Sequence, residues 1–123
     1  KHTTMGLDTS HNAWHGPYSS FRYWREMIAS KIGVNLQKME GFNGDIPFST
    51  LPENPINVLL DHSDCDGEIK WEDCGPLADA LEQLLPQLND HTHPLPNYYS
   101  DKTKQFIEGC RLAYSLQENI EFH

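Results

Sequence analysis

The stretch from Asp61 to Asp73, Asp-His-Ser-Asp-Cys-Asp-Gly-Glu-Ile-Lys-Trp-Glu-Asp, constrains the fold more than any other part of the chain. It holds six carboxylates in thirteen residues, and charges at that density cannot leave water without compensation. Gly67, near its middle, supplies the backbone freedom for a sharp bend. Apolar, helix-periodic sequence lies on both sides. The stretch therefore reads as a surface turn joining two helices, with a bound cation as the simplest way to gather so much negative charge.

The rest of the chain arranges itself around that turn. Tyr18, Phe21, Trp24, Ile28 and Ile32 recur near every 3.6 residues and predict a helix. Gly16-Pro17 opens it, Ser19 and Ser20 are alternative caps, and Gly33 ends it. Residues 34–54 carry Gly41, Gly44, Pro47 and Pro52 and predict loop, with a short turn or strand at Val34, Leu36 and Met39. Phe42, Ile46, Phe48 and Leu51 are too apolar for water, so this loop is expected to pack onto the core. Asn54-Pro55 predicts the start of a short helix through Ile56, Leu59 and Leu60.

Beyond the acidic turn, Trp71, Leu77, Ala80, Leu81, Leu84 and Leu85 share one helical face, with Gly75-Pro76 tolerated near the start and Pro86 as the stop. Residues 90–99 predict loop. Ser100-Asp101 predicts the cap of a last helix with Phe106, Ile107, Cys110, Ala113 and Tyr114 inward. The tail Ile120–Phe122 alternates and is expected to pair with Glu68–Lys70. From Met5 to Gly16 the chain is polar with Trp14 as anchor and gives no definite element. The expected fold is mainly α: a single domain over residues 5–123 of about four helices, an EF-hand-like loop and one short two-stranded pairing. Lys1–Thr4, ahead of Met5, read as leftover tag residues.

A net charge of −9 with no Lys/Arg cluster argues against nucleic acid as a partner. No apolar run approaches the roughly 20 residues of a membrane span, and no signal peptide is evident. With three cysteines, Cys65, Cys74 and Cys110, the expectation is reduced thiols in a soluble cytoplasmic protein.

The turn can be set against the twelve-residue calcium-loop pattern D-x-[DN]-x-[DN]-G-x5-E. With Gly67 at position 6, Asp64 falls at 3, Asp66 at 5, Glu68 at 7, Ile69 at 8 and Asp73 at 12. Two carboxylates would converge on the ion, Glu68 would offer its carbonyl, and Asp73 would close the sphere. Residues 62–73 thus resemble an EF-hand loop or the related dockerin loop. That resemblance implies a calcium-type site with His62, Asp64, Asp66, Glu68 and Asp73 as the metal residues. The pattern is departed from at His62 (Asp is usual), at Asp73 (Glu is usual) and at Lys70, and no second loop pairs with this one. An affinity no better than ~10⁻⁴ M is expected. Magnesium is the near alternative, and His62 with Cys65 and Cys74 raises zinc, the fourth ligand coming from His11, His15, His91 or His93.

His11 and His15, four apart, would share a face on a helix, but no Glu follows His11 as a metalloprotease would require. A structural pair is the favoured reading, His91 and His93 are expected in an exposed loop, and no enzyme is argued. Met-Gly-Leu-Asp-Thr-Ser-His-Asn-Ala-Trp-His-Gly, Gly-Phe-Asn-Gly-Asp and His-Ser-Asp-Cys-Asp-Gly-Glu-Ile are together similar to segments of small bacteriophage and prophage proteins of uncharacterised role. This resemblance implies an accessory phage protein and brings no activity with it. The function expected is a small acidic, metal-binding interaction module with a protein partner. Two rivals stand beside it. A metal-dependent hydrolase would converge His11, His15 and His62 on an open coordination position. An acidic inhibitor or decoy of a host protein would carry a contiguous carboxylate patch away from the loop.

Overall fold

A computed structural model describes residues 6–88 and 93–123. The tag reading of residues 1–4 and the loop expectation at residues 90–92, His91 included, lie outside the described residues. In order the elements are β1 (Gly6–Asp8), β2 (His15–Pro17), α1 (Tyr18–Lys31), α2 (Asn57–Leu60), β3 (Glu68–Ile69), α3 (Trp71–Leu84), α4 (Tyr98–Leu116) and β4 (Ile120–Glu121), with single 3-10 turns between them. The mainly helical expectation holds, and β3 pairs antiparallel with β4 as anticipated, Ile69 opposite Ile120. A second small sheet, β1 with β2, was not anticipated.

Each helix has a local cause. α1 opens at Pro17, whose φ of −60° already suits the turn, and ends before Gly33, which adopts φ 79°. Its buried face is Phe21, Trp24, Arg25, Ile28 and Ala29; Tyr18 and Ile32 are only partly covered. Before α2, the Asn54 side chain accepts from the Ile56 amide. α3 begins with Glu72 and Asp73, which favour the positive helix end, and the Trp71 amide is capped by Asn119 Oδ1 at 2.9 Å. Pro76 lies inside α3, beyond the first turn; the carbonyl it leaves free belongs to exposed Glu72. α4 starts at Tyr98, two residues ahead of the expected cap, after Asn97 in the left-handed region.

Trp14 stacks on Trp24 at 5.0 Å, with Phe21 and Phe106 against the pair. Trp24 Nε1 donates to Thr103 Oγ1, whose hydroxyl donates to the Tyr99 carbonyl, so the Trp24 side of this aromatic centre is satisfied. α3 and α4 form the most extensive helix contact. At Gly75 the Tyr114 ring occupies the place of a Cβ, 2.9 Å away, and Arg111 of α4 bonds Asp79 and Glu82 of α3. Tyr114, expected inward, is 48% exposed because it closes this helix pair from outside. The 34–54 loop packs down through Leu36, Met39, Phe42 and Phe48; Ile46, expected with them, is exposed, since its backbone bridges to Met39 and turns the side chain out.

Gly109 marks the closest approach of α4 to the N-terminal segment. A Cβ there would lie 2.5 Å from Ala13 Cβ and 2.8 Å from Ala13 Cα. Gly109→Ala gains roughly 1 kcal/mol of helix propensity but forces backbone apart, at about 1–3 kcal/mol. We expect a net loss of stability, measured as a lower urea midpoint with unchanged slope.

Candidate functional site

The acidic turn is held by side chains from three separate segments. At the end of helix α2, where the last carbonyls run out of helical partners, Arg25 of α1 supplies a donor: Nη1 donates to His62 O at 2.6 Å and to Leu59 O and Leu60 O at 3.4 Å, Leu59 O also accepting from the His62 amide. The guanidinium lies over the Phe21 ring at 4.4 Å and the Phe42 ring at 4.9 Å. Burial pushes its pKa down to about 10, against the opposing pull of the Asp64 carboxylate. Arg25 therefore stays charged at neutral pH, a buried cation beneath the loop.

His62 supplies the second tie. Its Nδ1 faces the Ser63 carbonyl at 2.7 Å and its Nε2 the Glu68 carbonyl at 3.0 Å. Both ring nitrogens thus lie within hydrogen-bond distance of backbone carbonyls on either side of the bend. The ring packs on Phe122 with centroids 4.0 Å apart, and the Phe122 amide donates to Gly67 O. Gly67 bends the loop at φ 88°, a conformation that favours glycine. Ile69 then points into the core, fully buried.

The expected metal residues take separate directions. His62 spends both nitrogens on backbone carbonyls, one of them the Glu68 carbonyl that a calcium loop would turn to its ion. Asp64 lines a cleft of about 270 Å³ with Arg22, Arg25, Phe42 and Phe48. Asp66 is exposed, the Glu68 carboxylate accepts from Asn119 Nδ2, and exposed Asp73 sits in the first turn of α3. Among the described residues, no three His, Cys, Asp or Glu side chains are grouped to hold a metal ion.

The zinc alternative is similarly dispersed. Cys65 is exposed, while Cys74 is buried against Cys110; the hydrogen bond between these thiols, with burial, raises the Cys110 pKa. His93 stacks on Tyr98 at 3.8 Å.

His11 and His15 do not share a helical face, because His11 and Asn12 adopt left-handed φ values of 59° and 55°. His11 bridges Ser10 Oγ and Glu118, and His15 bridges Asp8 and Asn12. Each ring is occupied by its own partners and none shares one with His62. The chain matches no family model, no curated protein and no solved structure.

Arg25 and Asn119, which help close the loop, were not among the residues singled out from sequence, and Phe122 was read only as the end of the pairing tail. One signal existed: Arg25 falls inside the apolar stripe Phe21, Trp24, Ile28, where a cation requires a buried partner. Arg25→Met keeps the volume and removes the donor that the Leu60 and His62 carbonyls share, at an expected cost of about 2–3 kcal/mol, and His62→Ala about 1 kcal/mol. Chemical denaturation of both variants measures this, and hydrogen exchange should rise first across residues 60–70.

Proposed function

We propose that the chain is a non-catalytic interaction module that presents the 61–73 loop and β4 to a positively charged protein surface. The observation that carries this reading is the register of β3 and β4, which sets Glu68 directly opposite Glu121 on an exposed face. Like charges so placed repel, and the repulsion is relieved by a cationic group brought from outside. Glu68 and Glu72 also line a groove with Trp71 and Lys70; two carboxylates against one resident lysine leave it net negative, and carboxylates beside an indole suit a Lys or Arg side chain. Asp66 and Asp73 add exposed negative charge nearby, and the net charge of −9 would steer a basic partner in. Given the resemblance to phage accessory proteins, that partner would be a basic host protein and the module its inhibitor or decoy. The patch lies on the loop itself rather than apart from it.

The test uses a Lys/Arg-rich peptide as probe. Binding by calorimetry should weaken tenfold or more as salt screens it, over a Debye length falling from about 10 Å toward 3 Å. Glu121→Lys should raise stability by a few tenths of a kcal/mol while weakening the peptide. Salt-indifferent binding, or binding that Glu121→Lys leaves intact, would refute this reading.

A second reading keeps a divalent cation, calcium first and magnesium or zinc after it, on Asp64, Asp66 and Asp73. What favours it is backbone form: a left-handed Gly67, buried Ile69 in a short strand, and helices before and after. It requires His62 to release the Glu68 carbonyl. On the first reading the melting temperature is the same in excess EDTA and in millimolar calcium. On the second, calcium at a hundred times its dissociation constant adds about 2.7 kcal/mol.

A further inference from the structure

Where β2 meets α4, two hydrogen-bond donors border the place that a Gly16 side chain would take, and one of them has no acceptor. Trp14 is fully buried, yet its indole Nε1–H has no hydrogen-bond partner. The Lys102 ammonium lies over the same ring, 4.6 Å from its centroid, and donates to the His15 carbonyl at 2.9 Å. Among the described residues no carboxylate stands within ion-pair distance of it, and partial burial lowers its pKa. Gly16 completes the niche. A Cβ on Gly16 would sit 3.7 Å from Trp14 Nε1 and 4.0 Å from Lys102 Nζ, with nothing nearer beyond its chain neighbours. The missing side chain thus leaves a space that both donors border.

The sequence immediately beyond reinforces this. α1 starts at Tyr18 with no side-chain cap on its first amides and no acidic residue in its first turn. The positive end of a 14-residue helix is therefore left uncompensated beside Gly16. By contrast the buried Trp24 Nε1 has Thr103, while Arg25 Nε, the other buried donor without a partner among the described residues, lies beneath the acidic loop.

We infer that this niche seats a small oxyanion, a phosphate or carboxylate group, held by Trp14 Nε1–H and the Lys102 ammonium in the space that Gly16 leaves open. The flexible lysine head moves outward to admit the anion and stays bonded to it. An acceptor there pairs an orphaned donor and an unpaired cation at once, a gain that a neutral water does not match in charge.

The test follows the three indole N–H resonances of the intact ¹⁵N-labelled chain, assigned with Trp24→Phe and Trp71→Phe, at constant ionic strength. Inorganic phosphate and acetate are titrated in separate arms, and the tighter one names the group. The Trp14 signal should move and saturate with a dissociation constant on the order of 1–10 mM, fitting for so few atoms, while the Trp24 signal stays in place. Lys102→Gln, at a half-buried surface position, should fold normally and bind roughly tenfold more weakly. Gly16→Ala should abolish the shift by filling the space. A Trp14 resonance unmoved by either anion, or wild type and Lys102→Gln titrating alike, would overturn the assignment.

Discussion

A buried guanidinium sets the terms for the middle of this protein. Arg25 sits on an otherwise apolar face of α1, and the cost of desolvating it is offset in part through three carbonyls and two aromatic rings, its Nε staying without a partner. Those carbonyls belong to the end of α2 and the start of the acidic loop, and one ring, Phe42, belongs to the 34–54 loop. A single side chain thus fastens three segments that are remote in sequence. α2, with only four residues, is far too short to be stable alone; its carbonyls gain an external donor and its apolar residues a core. The Asp64 charge near Arg25 partly offsets the burial.

The C-terminal tail does comparable work from the opposite side. Asn119 caps α3 and holds the Glu68 carboxylate, Ile120 faces Ile69, and Phe122 packs on His62 while its amide meets Gly67. The same tail reaches the N-terminal segment through the paired backbone bonds of Asp8 and His123 and the Glu121 amide on Ser10 Oγ. Strands of two or three residues are unstable in isolation. These persist because each is pinned by a buried side chain or by a neighbouring segment, so the loop, the tail and residues 6–17 should order together.

What could be read in advance follows from the range of the forces involved. α1, α3 and α4 are local, periodic objects, and their stripes of Phe, Trp, Ile and Leu were legible. So was the pairing of the tail Ile120–Phe122 with the Glu68–Lys70 stretch, though its register, Ile69 opposite Ile120, came only with the structure. β1 and β2 were not, since Gly6-Leu7-Asp8 and His15-Gly16-Pro17 carry no strand pattern and gain their pairing from packing around Trp14. Tyr114 was misplaced because periodicity cannot tell a residue facing a core from one covering a glycine on the neighbouring helix. Of the candidate site, the bend at Gly67 and the inward Ile69 were legible. The use of His62 was not, because a histidine bound to backbone carbonyls leaves no spacing signature.

Protein groups span the loop: an imidazole lies across it, between the Ser63 and Glu68 carbonyls, with a guanidinium beneath. Both contacts draw on backbone oxygens, which leaves the outer carboxylates free of partners that would neutralise them. Glu68 and Glu121 are then held face to face by a register that Ile69 and Ile120 dictate from below. Slipping that register by one residue would expose both isoleucines, at about 1.5–3 kcal/mol each, whereas opposed carboxylates on a solvated face cost well under that. Burial wins, the repulsion stays, and the negative face is a consequence of how the core closes rather than of surface composition alone.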